Sequence, residues 1–201
     1  MSIQDDQLFT AMAKGLDEGR GLDELEGEIW ERFGQTCAVL VLDSPGFSRT
    51  TQKRGALYYL TVIVRLRRIC AAVFEEQGAL RWRAEADNVY AEFPTPDAAV
   101  AAALAIHDRL RKQGTMLEET VPFKVCLGIG YGRMLRSDRE GVFGDEMNLA
   151  SKLGEDTAQG GETLLTEQAF LHLSTRQGLL AQRRFIRVSG VELPYFAVSR
   201  E

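Results

Sequence analysis

Two carboxylates at the ends of predicted strands are the residues of this sequence best placed for metal chemistry. The apolar run at residues 37–42 ends in Asp43, which a Pro-Gly turn follows closely. Asp87 precedes residues 88–93, where apolar and polar side chains alternate as in a half-buried strand. An aspartate before a Pro-Gly turn is usually a turn residue or a helix cap, so Asp43 alone would carry little weight. Two carboxylates at strand ends, however, can share hard divalent cations.

The elements that would position these carboxylates follow a definite order. A strand ends in Asp43, the turn Gly46-Phe47-Ser48 opens a long helix, and a further strand follows the second carboxylate. Residues 144–153 then read GDEMNLASKL, a glycine-led turn at the opening of another helix. This order and these motifs resemble the catalytic domain of the class III nucleotidyl cyclases, the family of adenylate and guanylate cyclases. The resemblance covers about residues 36–199.

The resemblance implies a metal site next to a phosphate site. Two divalent cations, Mg²⁺ or Mn²⁺, would be held by Asp43, Asp87 and the backbone carbonyl of Ser44, since all of these are oxygen ligands. The turn formed by Gly46, Phe47 and Ser48 would bind the triphosphate. Its position supports that role, because the start of a helix offers free backbone N–H groups and the positive end of the helix dipole.

The same resemblance implies catalytic and base-binding positions. Asn148 would orient the ribose, and Lys152 stands where the family has an arginine that stabilises charge on the phosphates. Arg83 replaces a base-reading lysine, and Gly141 replaces its partner aspartate. Ser189 stands where many members have a phosphate-binding lysine. These replacements leave both the base and the turnover rate open: ATP is the favoured substrate, and GTP or a pyrimidine triphosphate is an alternative.

Hydrophobic periodicity predicts the remaining helices. Residues 1–33 should form two short amphipathic helices, which either cap the domain or serve dimerisation or signalling. The catalytic domain itself should comprise residues 34–201. A single helix is expected from residue 48 or 50 to about residue 77, where a Gln-Gly pair ends it. Ala86 stands where the family has glycine, a change that is tolerable unless this residue needs a positive φ angle.

The glycines at residues 128–132, read as GIGYG, belong to a predicted strand over residues 122–135. No helix follows them, so a dinucleotide-binding loop is excluded. Glycine at every second position of a strand indicates a face that another backbone approaches closely. Strands and helices in this order predict an α+β fold, ferredoxin-like at its core, with a mainly antiparallel sheet flanked by helices.

Composition narrows the class of protein. With 201 residues, 45% of them hydrophobic, the chain can bury the core of one domain. A net charge of -5 argues against nonspecific nucleic-acid binding, which needs a basic surface. Cys37, Cys70 and Cys126 are far apart in apolar runs, as expected for reduced thiols in the cytoplasm. No apolar stretch is long enough to span a bilayer, so we expect a cytoplasmic protein without a transmembrane segment.

Two functions from different classes follow from these observations. The first is a nucleotidyl cyclase of intracellular signalling, active as a head-to-tail homodimer, in which one subunit supplies the metal ligands and the other supplies Asn148 and Lys152. The pair Asp43 and Asp87 favours this function. The second is a noncatalytic cyclase-like domain that serves as a nucleotide-binding, regulatory or dimerisation module. The replacements at Gly141, Lys152 and Ser189 favour the second function.

Overall fold

The computed structural model describes residues 6–117 and 121–201, with the side chains of residues 47–49 excepted. In chain order its strands are β1 (Gly34–Asp43), β2 (Arg81–Glu85), β3 (Asn88–Phe93), β4 (Cys126–Ser137), β5 (Gly141–Phe143), β6 (Thr163–Thr166), β7 (Leu179–Val188) and β8 (Val191–Arg200). They form one sheet in the order β2-β3-β1-β4-β6-β8-β7, with β5 paired to β4. All of these pairs are antiparallel except β4 with β6.

The helices cover both faces of the sheet. They are α1 (Gln7–Asp17), α2 (Leu22–Phe33), α3 (Phe47–Arg54), α4 (Ala56–Glu76), α5 (Pro96–Gln113), α6 (Asp145–Ser151) and α7 (Glu167–Leu171). A π-helical turn, Lys152–Thr157, continues directly from α6. The mainly antiparallel sheet with helices on its faces confirms the predicted α+β class.

Strand β1 lies at the centre of the sheet and is buried on both faces. Leu40 and Leu42 belong to the main core, which packs against α4 and α5. Val39 and Val41 point to the opposite face, where a smaller cluster includes Ala150 of α6. Burial on both faces explains why residues 37–42 form an uninterrupted apolar run. The strand ends at Asp43, which is less buried than the residues before it.

The N-terminal residues form the two predicted helices, α1 and α2, which pack against the sheet rather than extending away from it. Leu25 and Ile29 of α2 are buried. Arg133 of β4 donates a hydrogen bond to the backbone oxygen of Trp30, 3.0 Å away, and its guanidinium lies 5.0 Å from the centre of the Trp30 ring. Gly15 lies inside α1 and packs against Leu25.

The single helix predicted after β1 is wrong, because two helices occupy this region. Gly55, with a φ angle of +82°, separates α3 from α4. That angle is costly for other residues, so glycine permits a sharp change of direction between two helices. The tight turn of the β2–β3 hairpin is formed by Ala86 and Asp87. Ala86 has a positive φ angle of +49°, the condition under which the replacement of glycine is costly.

The alternating glycines of β4 allow α6 to approach the sheet closely, as predicted. A Cβ atom added to Gly128 would lie 2.0 Å from the backbone oxygen of Ala150. One added to Gly130 would lie 2.4 Å from the backbone oxygen of Glu146. Neither distance is possible for a real side chain, so these glycines fix the position of α6.

The cysteines and the lengths of the apolar helices agree with the sequence-based expectations. Cys37, Cys70 and Cys126 are buried and carry free thiols. Within residues 6–117 and 121–201, no helix combines the length and the apolar composition required to cross a bilayer.

Candidate active site

Asp43 and Asp87 lie at the same edge of the sheet. Asp43 is the last residue of β1, and Asp87 lies in the turn between β2 and β3. The strand register places them near each other: Leu42, the residue before Asp43, pairs with Val89, two residues after Asp87. The partial burial of Asp43 and the negative charge of Asp87 raise the pKa of Asp43 to about 6. Two neighbouring carboxylates of this kind form an electrostatic environment that a divalent cation would stabilise.

The proposed ligands are of the type that a hard cation prefers, but there are too few of them to complete its coordination. Asp43, Asp87 and the backbone carbonyl of Ser44 supply oxygen atoms only, as Mg²⁺ and Mn²⁺ prefer. Among the described residues, however, no three metal-ligating side chains converge on one point. Substrate phosphates and water would therefore have to complete the coordination, which is usual for Mg²⁺ in phosphoryl-transfer sites.

Tyr59 and Ser44 connect the two carboxylate-bearing segments. Tyr59 of α4 is fully buried, and its hydroxyl lies 2.8 Å from Oγ of Ser44. The same Oγ of Ser44 donates a longer hydrogen bond, 3.4 Å, to the backbone oxygen of Asp87. This chain joins α4, the end of β1 and the β2–β3 turn. In the sequence, only its place in an apolar helical pattern distinguishes Tyr59.

Arg67 of α4 holds the β2–β3 turn from its other side. Its guanidinium donates a 2.5 Å hydrogen bond to the backbone oxygen of Ala86. Ala86 adopts a left-handed conformation that costs an L-residue roughly 1–2 kcal/mol. The contact with Arg67 therefore supports a strained residue directly before Asp87. The sequence analysis assigned no function to Arg67.

The predicted phosphate turn has the backbone shape of a helix start. Gly46 is left-handed, with a φ angle of +103°, and its backbone oxygen accepts a hydrogen bond from the amide of Thr50. Helix α3 begins at Phe47, so the amides of its first turn have no helical partners. The side chains of Phe47 and Ser48 lie outside the described part of the structure. Triphosphate binding by this turn stays a prediction.

Asn148 and Lys152 lie on one face, as their spacing predicted. Both line a cavity between α6 and the β7–β8 hairpin, to which Val188 and Leu193 also contribute. Nζ of Lys152 forms an ion pair with Oδ2 of Asp156, 2.6 Å away. Both partners are exposed, so this pair can separate at little cost. Ser189, in the turn after β7, adjoins Val188 at the rim of this cavity.

Glu146 anchors α6 to the sheet. Its Oε2 atom accepts hydrogen bonds from the hydroxyl of Thr166, at 2.6 Å, and from the amide of Tyr131, at 3.0 Å. Burial raises the pKa of Glu146, and these two hydrogen bonds oppose that rise. Because the helix that carries Asn148 begins at this point, Glu146 helps to set the position of Asn148.

Two acidic residues of the π-helical turn extend the carboxylate cluster. Glu155 and Asp156 add to the negative charge that raises the pKa of Asp43. Oε1 of Glu155 also accepts a hydrogen bond of 3.2 Å from the hydroxyl of Tyr90. This acidic pair, one residue after the GDEMNLASKL segment, was visible in the sequence, but nothing local indicated that it would lie near Asp43.

Arg83 and Gly141, the two predicted base-binding positions, are in contact. A Cβ atom on Gly141 would lie 2.4 Å from Nη1 of Arg83, and Gly141 has a φ angle of +92°. The guanidinium of Arg83 also lies over the ring of Tyr90, 4.4 Å from its centre. Both residues line a cavity of about 140 Å³. A side chain at position 141 would therefore compete with Arg83 for space.

Apart from the predicted phosphate turn at residues 46–48, the predicted site residues form three groups within one chain. Asp43, Ser44 and Asp87 lie at the edge of the sheet; Arg83 and Gly141 line one cavity. Asn148 and Lys152 line another. Among the described residues, the cavity lined by Arg83 and the cavity lined by Asn148 share no residue.

Comparison with known proteins identifies the fold. No protein-family model matches the chain, and no curated protein is significantly similar to it. The catalytic core of a rhodopsin-guanylyl cyclase with converted specificity, in complex with ATPαS, is 14% identical, with a TM-score of 0.72 over 83% of this chain and 98% of that one. The guanylate cyclase domain of RhGC from Catenaria anguillulae, in complex with GTP, is 15% identical, with a TM-score of 0.70 over 83% and 97%.

A bacterial structure gives the same result. The adenylyl cyclase CyaB from P. aeruginosa is 20% identical to this chain, with a TM-score of 0.68 over 84% of this chain and 96% of that one. These matches cover nearly the whole of each solved domain, although few residues are identical. The chain has the fold of the class III nucleotidyl cyclase catalytic domain.

Proposed function

We propose that this protein is a nucleotidyl cyclase of intracellular signalling, which converts a nucleoside triphosphate, with ATP favoured, to the 3',5'-cyclic nucleotide and pyrophosphate. The observation that carries the proposal is the pairing of Asp43 with Asp87 at one sheet edge, where the pKa of Asp43 is raised to about 6. A fold without catalytic demand has no need to hold two carboxylates so close together at strand ends. The fold itself, shared with solved cyclase domains, provides the setting.

In the proposed reaction each group of residues has one task. Asp43, Asp87 and the Ser44 carbonyl hold two divalent cations, which when bound lower the pKa of the ribose 3'-hydroxyl and neutralise the triphosphate. Asn148 holds the ribose so that its 3'-oxygen faces the α-phosphorus. Lys152 leaves Asp156 and places its ammonium group against the phosphate oxygens. No covalent bond to the protein forms, so positioning and charge do most of the work.

The separation of the three groups supports an active homodimer. One chain presents Asp43 and Asp87 at an open edge, and it presents Asn148 and Lys152 in a different cavity. A head-to-tail dimer would bring the edge of one copy against the cavity of the other and so form two equivalent sites. Analytical ultracentrifugation with nucleotide and Mn²⁺ should detect this dimer. A strictly monomeric protein under those conditions would contradict the proposed mechanism.

The decisive experiment is a cyclisation assay with each of the four ribonucleoside triphosphates and Mn²⁺. The wild-type protein should form a cyclic product, and Asp43→Asn and Asp87→Asn should each abolish it. Asp23→Asn, an exposed position on α2, is the matched control and should retain activity. Product detection by mass spectrometry distinguishes cyclic nucleotides from simple hydrolysis. If wild type and both variants formed equal amounts of product, Asp43 and Asp87 would not be metal ligands.

The noncatalytic alternative is favoured by a different observation. Lys152 is engaged by Asp156, and position 141 offers no side chain to a base. A module of this kind would bind a nucleotide in the presence of metal without releasing product. Binding measured by calorimetry, together with the absence of any cyclic product from a folded dimer, would identify it.

A further inference from the structure

A buried carboxylate lines the cavity next to Arg83. Glu92 of β3 is only 7% exposed, and its side chain borders the cavity that Arg83 and Gly141 share. Oε2 of Glu92 accepts a 3.0 Å hydrogen bond from Nε2 of Gln35. Oε1 of Gln35 in turn accepts a hydrogen bond from Arg136. This chain of contacts fixes the orientation of the Glu92 carboxylate.

Strand alternation explains why Glu92 and Arg83 face the same space. Ala91 and Phe93 point into the core beneath α4 and α5, so Glu92 points to the opposite face of the sheet. Arg83 pairs with Tyr90 in the β2–β3 register, and Glu92 is two residues farther along β3. Diagonal neighbours of this kind are roughly 7–8 Å apart. Their side chains can therefore border one cavity from two sides without touching.

The two charged groups retain unused hydrogen-bonding capacity. In the part of the chain that the structure describes, the carboxylate of Glu92 has one hydrogen-bond partner, Gln35, and no ion pair joins Glu92 to Arg83. The Arg83 guanidinium lies over Tyr90 and against Gly141, with no protein acceptor among the described residues. Buried polar groups are normally paired. Among the described residues, Oε1 of Glu92 has no protein donor and the Arg83 guanidinium has no protein acceptor, so the two groups are suited to a ligand that both donates and accepts.

We propose that Glu92 reads the nucleobase of the substrate together with Arg83, and that it supplies the acceptor missing at Gly141; this inference rests on the proposed nucleotide-binding function. The Watson–Crick edge of a nucleobase presents donors next to acceptors. Arg83 donates to the ring nitrogen or carbonyl oxygen, and Glu92 accepts from the neighbouring N–H groups. Guanine offers a carboxylate two such donors, N1–H and the 2-amino group, whereas adenine offers only its 6-amino group.

This difference between the purines yields a selective test. Glu92→Gln keeps the size of the side chain and one acceptor oxygen, but it can no longer accept both guanine donors. Affinity for GTP should therefore fall more than affinity for ATP, which changes the ratio of the two dissociation constants about tenfold or more. Arg83→Gln, at a less buried position, tests the proposed donor to the base. It should also change the ratio of the dissociation constants for GTP and ATP. Glu75→Gln, exposed on α4, is the matched control.

Binding is measured by calorimetry with ATP and GTP in the presence of Ca²⁺, so that turnover does not enter the result. Circular dichroism checks that each variant is folded. A changed ratio in Glu92→Gln and Arg83→Gln, with no change in Glu75→Gln, supports the inference. Equal losses for both nucleotides, or no loss, overturn it even if the protein proves to be a cyclase. If the wild-type protein binds no nucleotide, the proposed function and this inference both fall.

Discussion

Asp6 and Ser137, which are 131 positions apart in the sequence, are joined by a 2.5 Å hydrogen bond from the Ser137 hydroxyl to Oδ2 of Asp6. The same Asp6 oxygen accepts from the amide of Arg139, and Oδ1 caps the first turn of α1. One buried carboxylate thus links the N-terminal helices to the loop between β4 and β5. That loop ends at Gly141, which contacts Arg83. A continuous series of contacts therefore joins the N-terminal segment to the proposed base cavity.

The Asp6 contact predicts a pH-dependent contribution to stability. Burial opposes ionisation of Asp6, but hydrogen bonds from Ser137 and from backbone amides outweigh it and lower its pKa. A carboxyl group with a lowered folded pKa stabilises the fold above its unfolded pKa, near 3.9, and loses this contribution as the pH falls through the folded pKa. Asp6→Asn should therefore cost about 1 kcal/mol at pH 7, and the cost should shrink below about pH 4.

Urea unfolding at a series of pH values measures this difference. Asp23→Asn, at an exposed position of α2, should change stability by less than about 0.5 kcal/mol at every pH. A cost of Asp6→Asn that stayed constant or grew under acid conditions would show that the Asp6 carboxylate is not held in the ionised form.

Tyr59→Phe tests whether the buried hydroxyl supports the proposed metal site. The hydroxyl bonds to Ser44, whose carbonyl is a proposed ligand and whose side chain reaches Asp87. Loss of such an outer contact typically weakens metal binding about tenfold or more. Calorimetric titration with Mn²⁺ measures the change. Tyr58→Phe, which removes only a long 3.5 Å contact to Met116, is the matched control and should bind Mn²⁺ as wild type does. Equal affinities in both variants would remove Tyr59 from the metal site.

Ala86→Gly should stabilise the protein, an unusual sign for a glycine substitution. Ala86 has a φ angle of +49°, which costs an L-residue about 1–2 kcal/mol. The greater freedom of glycine in the unfolded chain offsets about 0.4–1 kcal/mol of that gain. Thermal unfolding should therefore show a net gain, whereas Ala84→Gly, inside β2, should destabilise by about 0.5–1 kcal/mol. If both variants destabilised equally, the turn would not be strained at Ala86.

Local patterns predicted the parts of the fold that depend on local physics. The apolar run ending in Asp43 indicated a buried strand, and β1 is buried on both faces. Alternating glycines in β4 indicated close backbone approach, and Gly128 and Gly130 lie against α6. Both patterns depend on the immediate surroundings of each residue, namely its burial or the space at its Cα atom. They can therefore be recognised without knowledge of the tertiary contacts of distant residues.

Features that depend on distant residues could not be predicted in the same way. Alternation in β3 showed that Glu92 faces away from Phe93, but not that Gln35 would orient it. The acidic character of Glu155 was visible, yet its approach to Asp43 depends on how the π-helical turn packs. Such contacts depend on tertiary geometry, for which a single sequence has no periodic signal.

Lys152→Ala separates a catalytic role of Lys152 from a structural one. Its ion pair with Asp156 is between exposed side chains, so its loss should change stability by less than about 1 kcal/mol. In the proposed reaction, however, the ammonium group stabilises transition-state charge, and its removal should lower kcat about 100-fold or more with little change in KM. Lys14→Ala, which breaks a comparable exposed pair with Glu18, is the control and should leave kcat unchanged. Steady-state kinetics of cyclic product formation decide the matter: an undiminished kcat in Lys152→Ala would show that Lys152 does not act on the transition state.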